Sequence, residues 1–422
     1  MSAPERRLTL AEAGARNFVV VERGACYRLE CPGVGVTFEI DRLAWQRQEL
    51  HGELLVRCNF AGTEAGPDGT VSVARFNLSS ARARTDRATQ LERQSRARDV
   101  PWHALVEQLC QALLAAERSG EPAIVLRDVE RQDQDERTVR VSGFELPWRH
   151  PSIIFGDGGA CKSYLALYLG GLMAHEGHRV VLCDWELDAP DHRERFGRLF
   201  GDDMPTTLFY TRCARPLVYE VDRIKRIVRT QGIDYGIFDS IGFACHEAPE
   251  TADAALSYFR AVRQIGIGSL HLAHIAKGDG SDMKPFGSAF HFNSARAVWN
   301  LKAAEDGVCN LQLGVFDRKP SLRARQQPFS LDVTFGTDRT TIRRGEIADV
   351  AEFAPQLSLL QRIRSALKAG AMTREQLATA LDGPKADTLT RTLHRAIQRG
   401  QLVRFPGPGG VEQIGLAART GS

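Results

Sequence analysis

The stretch Ser152–Leu169 reads SIIFGDGGACKSYLALYL. Ile153-Ile154-Phe155 is a β-branched and aromatic run of the kind that forms a buried strand. It empties into Gly156-Asp157-Gly158-Gly159-Ala160-Cys161, and Lys162-Ser163 then opens a helix carrying Leu165, Leu167 and Leu169 among small residues. Strand, glycine-rich turn, lysine–hydroxyl pair and helix follow one another in the order of a phosphate-binding loop. The glycines let backbone N–H groups turn inward around phosphate oxygens, and the helix N-terminus adds partial positive charge. Lys162 is placed to reach β- and γ-phosphates and Ser163 to offer its hydroxyl to Mg²⁺, so ATP and Mg²⁺ are the expected cofactors. A glycine-rich turn with no ligand is the bland alternative, and it leaves the lysine–serine pair unexplained. Cys161 stands where a glycine usually precedes the lysine; its side chain is expected to point away from the phosphates.

The 422 residues allow two to three domains. A hydrophobic share of 43% with 25% charged residues places the chain among soluble globular proteins. The net charge of +3 means that any nucleic-acid surface is local rather than global. The nine cysteines are odd in number and lack zinc-ribbon spacing, so they read as reduced thiols of a cytoplasmic protein. No apolar run resembles a signal peptide or spans a bilayer, which argues against secretion and membrane work.

Upstream of the loop, Phe18–Val21, Val36–Ile40, Glu53–Cys58 and Val71–Phe76 read as strands between glycine- and proline-bearing turns. Ala81 to Arg98 is an arginine-rich helix, open to two readings: a nucleic-acid contact or a solvated face. Trp102 to Arg118 is a helix with Leu105, Leu109, Leu113 and Leu114 on one side. A polar spacer at Gln132–Glu136 precedes a short strand, Thr138–Val141. From Pro147 strands and helices alternate, which predicts an α/β core with a parallel sheet covered on both faces. The last strands, from Ala297 to Arg344, follow one another without helices and predict antiparallel pairs. The expected domains are 1–145, β-rich and helical; 146–350, the core; and 356–418, a smaller C-terminal domain.

Ligands of open α/β sheets sit at the carboxyl ends of the strands. Asp239 ends the apolar strand Tyr235–Phe238 and is the natural carboxylate partner for the Mg²⁺ held by Ser163. Glu186, just after the strand ending in Asp184, is either the acceptor of a proton from attacking water or an ordinary loop glutamate. His274 ends another strand and reads either as a γ-phosphate contact or as a core histidine. The polar, glycine-rich segment 278–287, with Lys277 and Lys284 beside an aromatic, suits single-stranded nucleic acid or is a plain surface loop.

Taken together, the phosphate loop, Asp184-Trp185-Glu186, Ile237-Phe238-Asp239-Ser240, Ala273-His274-Ile275-Ala276-Lys277, Lys284-Pro285-Phe286-Gly287-Ser288 and Phe316-Asp317-Arg318-Lys319 resemble the RecA/DnaB superfamily of ATPases. Within that superfamily they resemble the plasmid RepA-type hexameric helicases. The resemblance covers about residues 147 to 347. It implies a RecA-like core working as a ring or filament with ATP at subunit interfaces. It implies Glu186 as the water-activating carboxylate and His274 as the γ-phosphate sensor. It further implies Arg318, with Lys319 beside it, as the cation inserted into a neighbour's site, and Lys277–Gly287 as a central-channel DNA loop. Cys161 departs from the family's usual glycine, which bears on turnover more than on nucleotide binding.

After Pro355 the composition shifts to three helices, Leu357–Leu367, Arg374–Leu381 and Ala386–Arg399, and a hairpin, Leu402–Phe405 with Val411–Leu416. That order predicts a winged helix-turn-helix. The third helix turns Leu389, Leu393 and Ile397 inward and Arg391 and Arg395 outward, as a helix in a duplex major groove requires. A protein-interaction winged helix is the other reading. The expected function is an ATP-driven helicase or translocase on DNA, a homo-oligomer and a hexamer by resemblance. The alternative is a DNA-bound ATPase switch that uses ATP to assemble.

Overall fold

A computed structural model of the chain describes residues 17–22, 26–59, 68–97, 99–130, 137–275, 285–287, 289–305, 309–320, 326–345, 357–381, 383–407 and 410–417, with single positions at 9, 66, 347 and 353. It divides into two compact units, Met1–Arg131 and Gln132–Ser422.

In the first unit β1 (Asn17–Glu22), β2 (Cys26–Cys31), β3 (Val36–Gln46), β4 (Glu49–Cys58) and β5 (Thr70–Asn77) form an antiparallel meander in sequence order. Helices α1 (Ala81–Ser95) and α2 (Trp102–Ser119) follow. Strand alternation buries Val36, Phe38 and Ile40 against Leu91, Trp102, Leu105 and Leu109 in one core. The sequence reading missed β2, whose alternation is short. The arginines of α1 divide their labour. Arg87 is buried and donates through Nη1 to Ser72 Oγ at 3.2 Å, while Arg84 meets Glu107 on α2 at 3.1 Å. Arg82 and Arg93 are exposed. Part of what looked like a charged face is therefore packing.

The second unit opens with a hairpin, β6 (Thr138–Val141) and β7 (Phe144–Pro147). Its Val139, Val141, Phe144 and Leu146 belong to the main core. The second unit thus begins at Gln132, at the polar spacer that precedes β6. Then come β8 (Pro151–Gly156), α3 (Lys162–His175), β9 (Val180–Asp184), α4 (Ala189–Phe200), β10 (Leu208–Arg212), α5 (Leu217–Gln231) and β11 (Tyr235–Asp239). Next are α6 (Ile241–Ala244), α7 (Ala252–Ile265), β12 (Gly268–His274), α8 (Ala289–Ser294), β13 (Ala297–Glu305), β14 (Asn310–Lys319), β15 (Phe329–Phe335) and β16 (Thr340–Gly345).

Among the described residues these make a nine-stranded sheet ordered β10-β9-β11-β12-β8-β13-β14-β15-β16. Strands β10 through β13 in that order are parallel, and β14, β15 and β16 join antiparallel. The parallel strands are apolar throughout because both faces are covered. Leu165 and Leu169 of α3 lie in the core cluster of one face, and Leu217, Ile224, Tyr258 and Phe259 of α5 and α7 in that of the other. This is a mixed α/β fold with a large, parallel-rich sheet, preceded by a β-rich unit.

The C-terminal part is α9 (Leu359–Ala366), α10 (Arg374–Ala380), α11 (Ala386–Gln398) and the hairpin β17 (Leu402–Pro406) and β18 (Glu412–Leu416). Capping boxes at Ser358 and Thr373 start α9 and α10. Ile363, Leu377, Leu389, Leu393, Leu402 and Ile414 make a small core, and Met372 bridges to Ile414 beside the hairpin. No described helix is long and apolar enough to cross a membrane.

Candidate active site

Parallel pairing brings the ends of β8, β9, β11 and β12 to one edge of the sheet, where the glycine-rich loop begins. Gly156 ends β8 hard against β13: a Cβ there would sit 2.3 Å from Leu301 O. The loop then turns through two left-handed positions, Gly159 at φ 82° and Cys161 at φ 51°. The second explains the unusual residue. The backbone asks for glycine, and cysteine holds the conformation at a cost of about 1–2 kcal/mol. The Cys161 side chain packs on the main core. Burial pushes its thiol up, so it stays protonated.

Lys162 opens α3 and is buried. Its Nζ donates to Gly156 O at 3.1 Å and Asp157 O at 2.7 Å, closing the loop on itself. Burial lowers the ammonium, opposed by the nearby Asp239, Glu186 and Asp157. The Ser163 hydroxyl lies beside Asp239 at the end of β11. Burial pushes that carboxyl up to about 6, with the Ser163 hydroxyl pulling the other way and Glu186 and Asp184 adding repulsion. A buried carboxylate held against a hydroxyl, with like charges around it, fits a divalent cation. Among the described residues no cluster of three or more His, Cys, Asp or Glu forms a metal cage.

Glu186 owes its position to Asp184, a residue to which the sequence reading gave no task. The Asp184 carboxylate is fully buried and accepts from Glu186 N at 3.0 Å and Leu187 N at 3.1 Å. Burial alone would raise it, but His192 and these backbone donors hold it at about 2. Trp185 N donates to Asp239 O at 2.7 Å, tying the turn after β9 to the end of β11. Glu186 Oε1 then accepts from Ser240 Oγ and lies 3.7 Å from His274 Nε2. His274, then Ser240, lower the Glu186 carboxyl against the effect of burial, with Lys162 adding to them. It is therefore an anion at neutral pH. His274 is paired in register with Gly156 at the mouth of the loop. Lys162, Ser163, Asp239, Glu186 and His274 are thus brought together.

The remaining candidates lie elsewhere. Strand β13 runs toward the loop, with Leu301 beside Gly156, and β14 runs back, with Lys319 beside Val298. Arg318 and Lys319 are therefore at the strand-start end of the sheet, away from their own loop. Arg318 Nη2 donates to Asn300 Oδ1 at 3.2 Å, and its guanidinium lies 5.4 Å from the Phe316 ring. It faces a cleft of about 470 Å³ whose other wall includes Ser358, Gln361 and Arg364. Lys319 Nζ donates to Phe292 O at 3.2 Å, Asn293 O at 3.0 Å and Ala295 O at 2.6 Å, capping α8. Arg391 and Arg395 are exposed on α11, as expected. Lys277 and Lys284 lie outside the described residues.

No protein-family model matches the chain, and no curated protein does. Among solved structures, a KaiC-like protein from the hyperthermophilic archaeon Pyrococcus horikoshii OT3 is similar over 49% of this chain and 99% of its own, at 17% identity and a TM-score of 0.40. At that distance the likeness carries no argument about activity, which rests on the site itself.

Proposed function

We propose that the chain is an ATP-hydrolysing motor with a RecA-like core that assembles with its own copies and acts on DNA as a helicase or translocase. The observation that carries this reading is the convergence of Lys162, the Ser163–Asp239 pair and the Glu186–His274 pair on one glycine-rich loop. In it, Lys162 leaves the loop carbonyls for the β- and γ-phosphates, and the loop N–H groups and the α3 N-terminus hold the remaining charge. Ser163 and Asp239 would hold Mg²⁺, which supplies charge neutralisation between the phosphates. Glu186, ionised and steered by Ser240, accepts the proton of the attacking water. His274 touches that carboxylate and borders the loop, so it senses the terminal phosphate and passes its loss to the segment that follows β12.

Arg318 completes a neighbour's site rather than its own, because the sheet carries it away from its own loop. The ring arrangement, hexameric in the resembling helicases, follows from that division. The C-terminal helices with their hairpin have the order of a winged helix-turn-helix and present Arg391 and Arg395 to duplex phosphates. Lys277 and Lys284 belong to the proposed channel loop for single strands. A DNA-bound switch with slow turnover is the second reading, favoured by the left-handed Cys161 in the loop.

The deciding experiment measures ATP hydrolysis with no DNA, single-stranded DNA and duplex DNA, for the wild type, Lys162→Ala and Glu186→Gln. Stimulation by DNA is expected, with hydrolysis lost in both variants and ATP binding kept in Glu186→Gln. Hydrolysis near wild type in Lys162→Ala removes the site. Separation of a forked substrate distinguishes the motor from the switch.

A further inference from the structure

Strand β13 opens as Ala297-Val298-Trp299-Asn300-Leu301, an apolar run broken by one amide. Asn300 is fully buried and stands between Phe155 of β8 and Phe316 of β14 in the register of the sheet. Burying an amide is costly unless its polar ends are satisfied, so its partners show what it serves. Its Nδ2 donates to Phe155 O over a long 3.5 Å, and its Oδ1 accepts from Arg318 Nη2 at 3.2 Å. A carbonyl only accepts and a guanidinium only donates, so one orientation of the amide satisfies both.

Strand β14 is shaped for that contact. Val298 pairs with Lys319 and the next residue, Trp299, with Asp317, so Arg318 is the extra residue of a bulge. A bulge re-aims the side chain it carries. Arg318 is half-buried, lies over the Phe316 ring, meets the Asn300 oxygen and lines the open cleft of about 470 Å³. The carboxylate of Asp317, beside it in the strand, accepts from Gln326 N at 2.8 Å.

We infer that Asn300 is a positioning residue for the arginine that one copy supplies to its neighbour. This rests on the reading of Arg318 given above and adds the group that aims it. The bulge takes Arg318 out of the regular alternation of the strand, and the amide oxygen fixes one nitrogen of its fork. The choice of an amide is chemical. An amide oxygen orients a guanidinium and leaves its whole positive charge for a phosphate, whereas a carboxylate in the same place would neutralise it. An apolar side chain would leave it unaimed. Asn300 is itself sealed from solvent and acts through Arg318.

The test measures ATP turnover, KM and binding of a fluorescent ATP analogue for Asn300→Leu and Asn300→Asp. Turnover about tenfold or more lower is expected in both, with KM and analogue binding within about twofold of wild type. Asn300→Asp keeps the size and the oxygen and adds a charge, so its loss reads the chemistry rather than the packing. In the Arg318→Ala background Asn300→Leu costs nothing further, because no arginine is left to aim. Mixing Asn300→Leu copies with Glu186→Gln copies restores turnover above that of either alone, since the second supply a well-aimed arginine to the intact sites of the first. A role in packing alone gives additive losses and no restoration. Wild-type turnover in both Asn300 variants, a full further loss in the Arg318→Ala background, or mixtures no more active than their parts each overturn the inference. If Asn300→Leu does not fold, Asn300→Asp carries the same background and mixing measurements. Wild-type turnover in Arg318→Ala sinks the supplied arginine itself; a loss there beside unaffected Asn300 variants sinks only the positioning role.

Discussion

At Asp239 two demands oppose each other. The carboxylate is wanted as an anion beside Ser163, yet burial pushes its proton affinity up to about 6. The unfolded chain releases that proton near 4, so the folded state holds it more tightly between the two values. Stability from this group is therefore present below about pH 4 and is lost as pH rises through about 6, at a cost on the order of 1–3 kcal/mol. Asp239→Asn is expected to be more stable than wild type by that order at pH 8, with a smaller difference at pH 5, measured by urea denaturation. The same variant loses stabilisation by Mg²⁺ with ATP. Asp184 has the opposite sign: held at about 2, it contributes above the ordinary carboxylate range and loses its contribution as pH falls toward 2. The placing of Asp239 and Glu186 beside the loop was legible from the chain because parallel strands bring their carboxyl ends to one edge. Ser240's hold on Glu186 was not, because it spans 54 residues and exists only once β9 and β11 are in register.

Elements with strong periodicity were read correctly and weak ones were not. The parallel strands announce themselves as unbroken apolar runs, and α5, α7 and α11 as one-sided helices. β2 and β7 are short and were missed, and their placement depends on pairing and packing with other elements, whereas the short strand β6 was read with its observed bounds. Lys319 makes the same point for a side chain. Expected as part of the catalytic set beside Arg318, it instead donates to three carbonyls at the end of α8. Lys319→Met is expected to lower stability by about 1–2 kcal/mol, the order of a lost charged cap, while ATP binding is kept. Thermal denaturation alongside a binding titration checks this. Lost turnover with unchanged melting would return Lys319 to the chemistry.

For the whole molecule, the decisive distance is the one between Arg318 and the loop of its own chain. β13 and β14 run in opposite directions, which sends the arginine to the other end of the sheet. Arg318→Ala is expected to bind ATP normally and lose about 10³-fold in turnover. In mixtures, activity falls faster than the wild-type fraction, because each variant copy spoils a neighbour. A linear fall would confine catalysis to single chains.

The β6–β7 hairpin has a mechanical consequence. Phe144 lies edge-on to both Trp299 of β13 and Phe329 of β15, each at 5.4 Å between ring centres. Those two strands flank β14, which carries Arg318 just before its last residue, Lys319. Displacing the hairpin would therefore disturb both strands that flank the one carrying the arginine.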